Sequence, residues 1–128
     1  MDARKFTERL PGTPDQVRKV RLIITAALGD AHPCIDDAVL LASETATNAV
    51  RHSDSARPGG EFALTVERTD AWARVTVCDD GSSRVPCLCP VKPTAERGRG
   101  VKLLDVLASR WGLLREKSRN EVWFEVGR

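Results

Sequence analysis

The chain has 128 residues, of which 41% are hydrophobic and 30% charged, and its net charge is +2. That length fits one domain able to bury its own core without disulfides or a structural metal. The charge is too small to point to nucleic acid or a membrane surface, and no apolar run approaches the roughly 20 residues that cross a bilayer.

The first residues, MDARKFTERLPG, lack an apolar signal core, so a cytoplasmic protein is expected. Residues 4–10 fit a short edge strand, closed by the turn Pro11-Gly12. Thr13 suits a helix N-cap and Pro14 the first helical position. From Asp15 to Leu28, the residues Val17, Val20, Ile23, Ile24, Ala27 and Leu28 recur at helical spacing, and Gly29-Asp30 ends the helix. The spacing predicts a second helix from about Ile35 to His52, buried through Ala38, Leu41, Ala42, Thr45, Ala49 and Val50. Ser53 to Gly60 has loop composition. Phe62, Leu64 and Val66 mark a strand; Trp72, Val75 and Val77 mark a second, joined to it near Thr69-Asp70 and stopped by Asp79-Asp80-Gly81.

Residues 82–98 carry Pro86, Pro90, Pro93 and Gly98 with no periodicity, a long loop of the kind that is usually functional. A third helix is predicted from about Arg99 to Arg110, buried through Val101, Leu103, Leu104 and Leu107. A final hairpin, near 111–117 and 121–127, carries Trp111, Leu113, Val122, Trp123 and Phe124. This order predicts an α/β (α+β) fold, a two-layer sandwich with a mostly antiparallel sheet, in one domain spanning 1–128. Of the four cysteines, Cys87 and Cys89 form a C-x-C pair and Cys34 lies two residues from His32. Zinc-site spacing is absent and no signal core precedes them, so reduced thiols are expected.

Three polar groups carry candidate chemistry. Glu44, Asn48 and His52 follow at intervals of four, which stacks them along one helix face. A carboxylate and an amide oxygen one turn apart suit magnesium beside nucleotide phosphates, and the carboxylate could serve as a general base. Taken alone, the row reads first as a solvated helix face with i, i+4 hydrogen bonds. Asp79, at the end of an apolar strand, can accept from an exocyclic amine, and Gly81 would let a flat ring approach; the alternative is a plain strand-ending turn. Gly98-Arg99-Gly100 precedes a helix, where free backbone N–H groups attract phosphate and Arg97 and Arg99 add positive charge. It is neither a P-loop nor G-x-G-x-x-G, since Leu103 stands where the third glycine would be. By itself it is also a flexible turn.

The order Glu-x-x-x-Asn on a helix, Asp-x-Gly after a strand and Gly-x-Gly before a helix resembles the GHKL ATPase superfamily, whose shared architecture is the Bergerat fold. Within it, the stretches SETATNAVRHS, VTVCDDG, ERGRGVKLLDVLASRWG and EVWFEV look most like anti-sigma factor serine kinases of the actinobacterial type. The likeness runs from PGTPDQVRKVR through the last strand.

The resemblance implies ATP and Mg²⁺ as cofactors. Glu44 matches the motif glutamate that acts as base or orients the attacking hydroxyl, and Asn48 the magnesium-binding asparagine. His52 matches a histidine common after this motif. Asp79 matches the aspartate that bonds the adenine amine, with Gly81 beside it. Gly98 and Gly100 match lid glycines, with Arg97 and Arg99 near the phosphates. Two positions depart from the pattern: Ser83 replaces a second glycine, and Glu121 takes the place of a threonine that supports the adenine pocket, where a carboxylate is a poorer partner for Asp79. The implied function is an ATP-dependent serine kinase that binds a sigma factor and phosphorylates a small STAS-type anti-sigma antagonist, with no direct contact to nucleic acid or membrane. The alternative is a catalytically weak ATP-binding module acting by sequestration. Relatives of this kind are often homodimers.

Overall fold

A computed structural model describes residues 4–52, 60–79, 103–116 and 119–128. Alternating apolar residues produce five strands: β1 (Arg4–Pro11), β2 (Glu61–Arg68), β3 (Ala73–Asp79), β4 (Arg110–Glu116) and β5 (Arg119–Val126). Helical spacing produces α1 (Gln16–Leu28) and α2 (Ile35–His52). The strands form one sheet in the order β1-β2-β3-β5-β4, and every neighbouring pair is antiparallel. Residues 103–107 are helical as well.

Register decides what each strand buries. Leu10, Phe62, Leu64, Val66, Ala73, Val75, Val77, Phe124 and Val126 share one face of the sheet through direct cross-strand pairing. The helices cover that face with Val20, Ile24 and Leu28 of α1 and with Ala38, Leu41, Ala42, Ala46, Ala49 and Val50 of α2, and Leu104 closes the core. The two-layer, antiparallel sandwich expected from the sequence is the fold observed.

Three boundaries differ from expectation. Thr13 does not cap α1: its hydroxyl donates to the Asp15 carboxylate, Asp15 occupies the cap position with no side-chain bond to a first-turn N–H, and the helix starts at Gln16. The first turn is instead closed by Gln16 and Val17 N–H groups donating to the Thr13 and Pro14 carbonyls. Trp72 precedes β3, at the turn where Thr69 Oγ1 accepts from the Ala71 and Trp72 N–H groups. The helix around 103–107 does not reach Arg110, because the Ser109 N–H donates to the Glu125 carbonyl at 2.7 Å and draws the chain into β4.

The other face of the sheet has its own polar row. Lys5, Glu67, Arg74, Glu125 and Arg110 stand side by side across all five strands with alternating charge. Glu125 is wholly buried, and its carboxylate accepts from Arg110 at 2.7 Å, Arg128 at 3.3 Å and Arg74 at 3.4 Å. Burial pushes the Glu125 carboxyl up, but the Arg110 hydrogen bond and the charges of Arg110, Arg128 and Arg74 outweigh it and hold it below the usual carboxylate range. Arg74 also stacks 4.3 Å from the Trp123 ring and Arg128 4.3 Å from the Trp72 ring. Cys34 and Cys78 are free thiols, both shifted upward mainly by burial. Cys87 and Cys89 lie outside the described residues, as does the expected loop at 82–98. No helix among the described residues is long and apolar enough to cross a membrane.

Candidate functional site

The direction of α2 is set far from its polar row. In the α1–α2 connection, His32 Nδ1 accepts from the Cys34 N–H at 3.0 Å, which leaves Nε2 to donate to the Thr69 carbonyl at 2.8 Å. Both ring nitrogens are thereby committed to backbone, and neither is available to a metal. The bond ties the start of α2 to the β2–β3 turn, where β3 also starts. The two elements pack together and run the same way from that turn.

Rise per residue then fixes what stands level with what. At about 1.5 Å per helical residue, Glu44 lies roughly 13 Å and Asn48 roughly 20 Å along α2 from Ile35. At about 3.3 Å per strand residue, Asp79 lies roughly 20 Å along β3 from Ala73. Asn48 and Asp79 therefore stand at the same end of the molecule, with Glu44 one turn behind. All three are half-buried. Flanking them on α2, Ala42, Ala46, Ala49 and Val50 are buried in the core, and Thr45 bonds back to the Leu41 and Ala42 carbonyls. The apolar sides of α2 thus hold the helix in one rotation about its axis, and the Glu44–Asn48 line follows from it. Among the described residues no hydrogen bond joins Glu44 to Asn48. His52 ends α2 at this same end; nothing is described of its side chain. Gly81, Arg97, Gly98, Arg99 and Gly100 lie outside the described residues, as does Ser83.

The register of β5 corrects one expectation from the sequence. Glu121 pairs with Cys78, on the sheet face turned away from the helices. The residue opposite Asp79, on the same face, is Asn120. A side chain at 121 does not share a face with Asp79, because successive strand residues point to opposite faces. The sequence does carry a signal for Asn120: it is two residues before Val122 and four before Phe124, both of which pack on the helix side. A carboxamide both donates and accepts, so it is a more compatible neighbour for the Asp79 carboxylate than a second carboxylate.

The described residues contain no group of three or more His, Cys, Asp or Glu side chains able to cage a metal. The oxygen donors that are present, one carboxylate and one carboxamide at helical spacing, suit magnesium, which commonly takes one or two protein oxygens and completes its shell with phosphates and water.

The sequence matches the model of the histidine kinase-like ATPase domain over residues 10–126. The chain belongs to the histidine kinase-like ATPase family, part of the GHKL superfamily. This ATPase domain also superposes on solved structures. One holds the RsbU and RsbW domains of Rv1364c from Mycobacterium tuberculosis (TM-score 0.69, 19% identity, covering 96% of this chain and 32% of that one). Another is the histidine kinase domain of the blue-light activated histidine kinase from Erythrobacter litoralis EL346 (TM-score 0.59, 21% identity, 92% and 61%). A further structure of that kinase gives a TM-score of 0.58 at 23% identity, covering 89% and 41%. The ATPase domain thus spans from about a third to three-fifths of the length of these chains, and at such identities the likeness shows the fold. No curated protein sequence matches significantly.

Proposed function

We propose that this chain is an ATP-binding serine kinase of the anti-sigma type, a single cytoplasmic domain that binds a sigma factor and phosphorylates a small STAS-type antagonist. The observation that carries the reading is the convergence of Glu44, Asn48, Asp79 and Asn120 at one end of a family-typical sheet. A neighbour that holds an RsbW domain supports the regulatory side of it.

Each residue has a distinct task. Asp79 accepts a hydrogen bond from the exocyclic amine of adenine, which guanine, presenting a carbonyl there, cannot donate. Asn120 lines the same pocket wall and offers its N–H₂ to a ring nitrogen. Asn48 supplies the amide oxygen for magnesium, which when bound spreads positive charge over the phosphate oxygens. Glu44, one turn away, accepts the proton of the attacking serine hydroxyl. Gly98 and Gly100, with Arg97 and Arg99, would close over the phosphates. Catalysis of this kind depends on positioning and charge stabilisation more than on covalent chemistry.

The test is direct. With labelled ATP, Mg²⁺ and candidate antagonist proteins, the wild-type chain labels a serine. Glu44→Ala loses that transfer while its nucleotide affinity, read by calorimetry, stays within about threefold of wild type, since the lost contact is made mainly in the transition state. Absence of ATP binding sinks the proposal. Binding without transfer to any antagonist reduces it to the sequestering module.

A further inference from the structure

On the side away from the sheet, α1 and α2 leave an open groove of about 450 Å³, a volume typical of ligand clefts. The connection 29–34 folds α2 back along α1, and the two helices pack together. At about 1.5 Å per residue, Thr25 stands roughly level with Val39, and Arg21 with Ser43. The groove is therefore polarised along its length. Asp30 and Asp36 line the end nearest the connection, and Arg21 the far end, roughly 10 Å away. Ile35, Val39 and Leu40 give it an apolar floor, and Leu40 is still 41% exposed there.

The polar groups along the groove restrict what fits. Thr25 donates its hydroxyl proton to the Arg21 carbonyl at 2.8 Å, and Ser43 donates its own to the Leu40 carbonyl at 2.9 Å. Both hydroxyls therefore face the groove with lone pairs only. Among the described residues, Arg21, Asp30 and Asp36 make no ion pair. The acidic end thus calls for a cation, the floor for apolar side chains and the far end for an anion. On a helix, roughly 10 Å separates residues i and i+7, and i+3 and i+4 lie between them on the same face. An amphipathic helix laid into a groove is a recurrent mode of protein recognition. A small organic cation would satisfy one end and leave Arg21 and the exposed Leu40 unused.

We propose that this groove docks an amphipathic helix of a partner protein. A Lys or Arg of that helix sits against Asp30 and Asp36, a Glu or Asp about seven residues away sits against Arg21, and the apolar residues between them rest on Ile35, Val39 and Leu40. On α2 the groove residues and the Glu44–Asn48 line are about a third of a turn apart, so docking stands whether or not ATP binds.

Fluorescence anisotropy tests it with a labelled, alanine-based helical peptide that carries Lys at one position, Leu three and four residues on, and Glu seven residues on. Circular dichroism melts show that every variant folds. The peptide binds the wild-type chain saturably, and Leu40→Glu weakens binding at least about tenfold. Asp30→Lys with Asp36→Lys weakens it about 5–20-fold, and Arg21→Glu about 3–10-fold. A second peptide, with Glu at both charged positions, binds the double lysine variant at least about fivefold more tightly than the wild-type chain. The proposal is overturned if the first peptide does not bind saturably, if Leu40→Glu leaves its binding unchanged, or if the second peptide prefers the wild-type chain. A dimer in sedimentation velocity that Leu40→Glu dissociates also overturns it, since a second copy would then fill the groove.

Discussion

The two ends of the sheet handle polar groups in opposite ways. At the end where β2 turns into β3, Glu125, His32 and Thr69 are committed to the fold. Glu125 holds three arginines, His32 joins two backbone segments, and Thr69 accepts from two N–H groups. At the other end, Glu44, Asn48, Asp79 and Asn120 form a half-buried set of oxygens and amides spread over a helix and two strands. The first end costs stability when altered. The second is expected to cost ligand affinity and leave stability nearly unchanged. The same residue chemistry, a carboxylate near nitrogen donors, serves structure in one place and is proposed to serve recognition in the other.

The proposed nucleotide end should give an effect as large as any on the structural end. Asp79→Asn replaces an acceptor with a group that presents donors to the exocyclic amine. A hydrogen bond involving a charged group is worth about 1.5–3 kcal/mol, so ATP affinity by calorimetry should fall roughly 10–150-fold, with a melting temperature close to wild type. A large loss of stability instead would erase the distinction between the ends.

The converse experiment is Glu125→Gln. Removing one member of a fully buried ion pair costs about 3–5 kcal/mol; here the arginines reach water, so about 2–3 kcal/mol in urea denaturation is expected, with ATP affinity unchanged. The pH dependence sharpens the point. Because the folded-state Glu125 carboxyl lies below its unfolded range, its contribution is present in full above the unfolded value of about 4.3 and is lost as pH falls through the folded value. The stability of the wild-type chain should drop more steeply on acidification below about pH 4.3 than that of Glu125→Gln.

A smaller effect comes from Gly127, whose φ of 81° is one that glycine adopts freely. A Cβ there would meet Cys34 Sγ at 2.5 Å and the Ala71 carbonyl oxygen at 2.6 Å. Gly127→Ala should cost about 1–3 kcal/mol in the same denaturation assay. Cys34→Ala in that background should recover only part of it, because the backbone contact remains. The smallest change expected is Asn120→Ala, a neutral contact worth about 1 kcal/mol, or roughly fivefold in ATP affinity.

Much of this was legible in the chain. The helical spacing of Ala38, Leu41, Ala42 and Ala49 located α2 with its correct limits and set Glu44 and Asn48 on one line. The alternation Phe62, Leu64, Val66 placed β2. Short-range chemistry was less reliable: Thr13 and Pro14 have ideal residue types for a cap, yet the Thr13 hydroxyl found a nearer carboxylate in Asp15. Glu121 was misplaced because linear distance to an apolar run does not state which face a strand residue occupies. That depends on parity, and parity becomes physical only when a core exists on one side.

The sequence by itself determined the family, the elements and their order, because periodicity and motif order are local properties of the chain. Which residues stand next to Asp79, which acid is buried among three arginines, and which strand is left at the edge were decided only by the tertiary structure. Those facts follow from pairing between segments far apart in the chain. One residue of register exchanges the core face for the solvent face, and no local signal in β5 alone could show that Asn120, not Glu121, would meet β3 at Asp79.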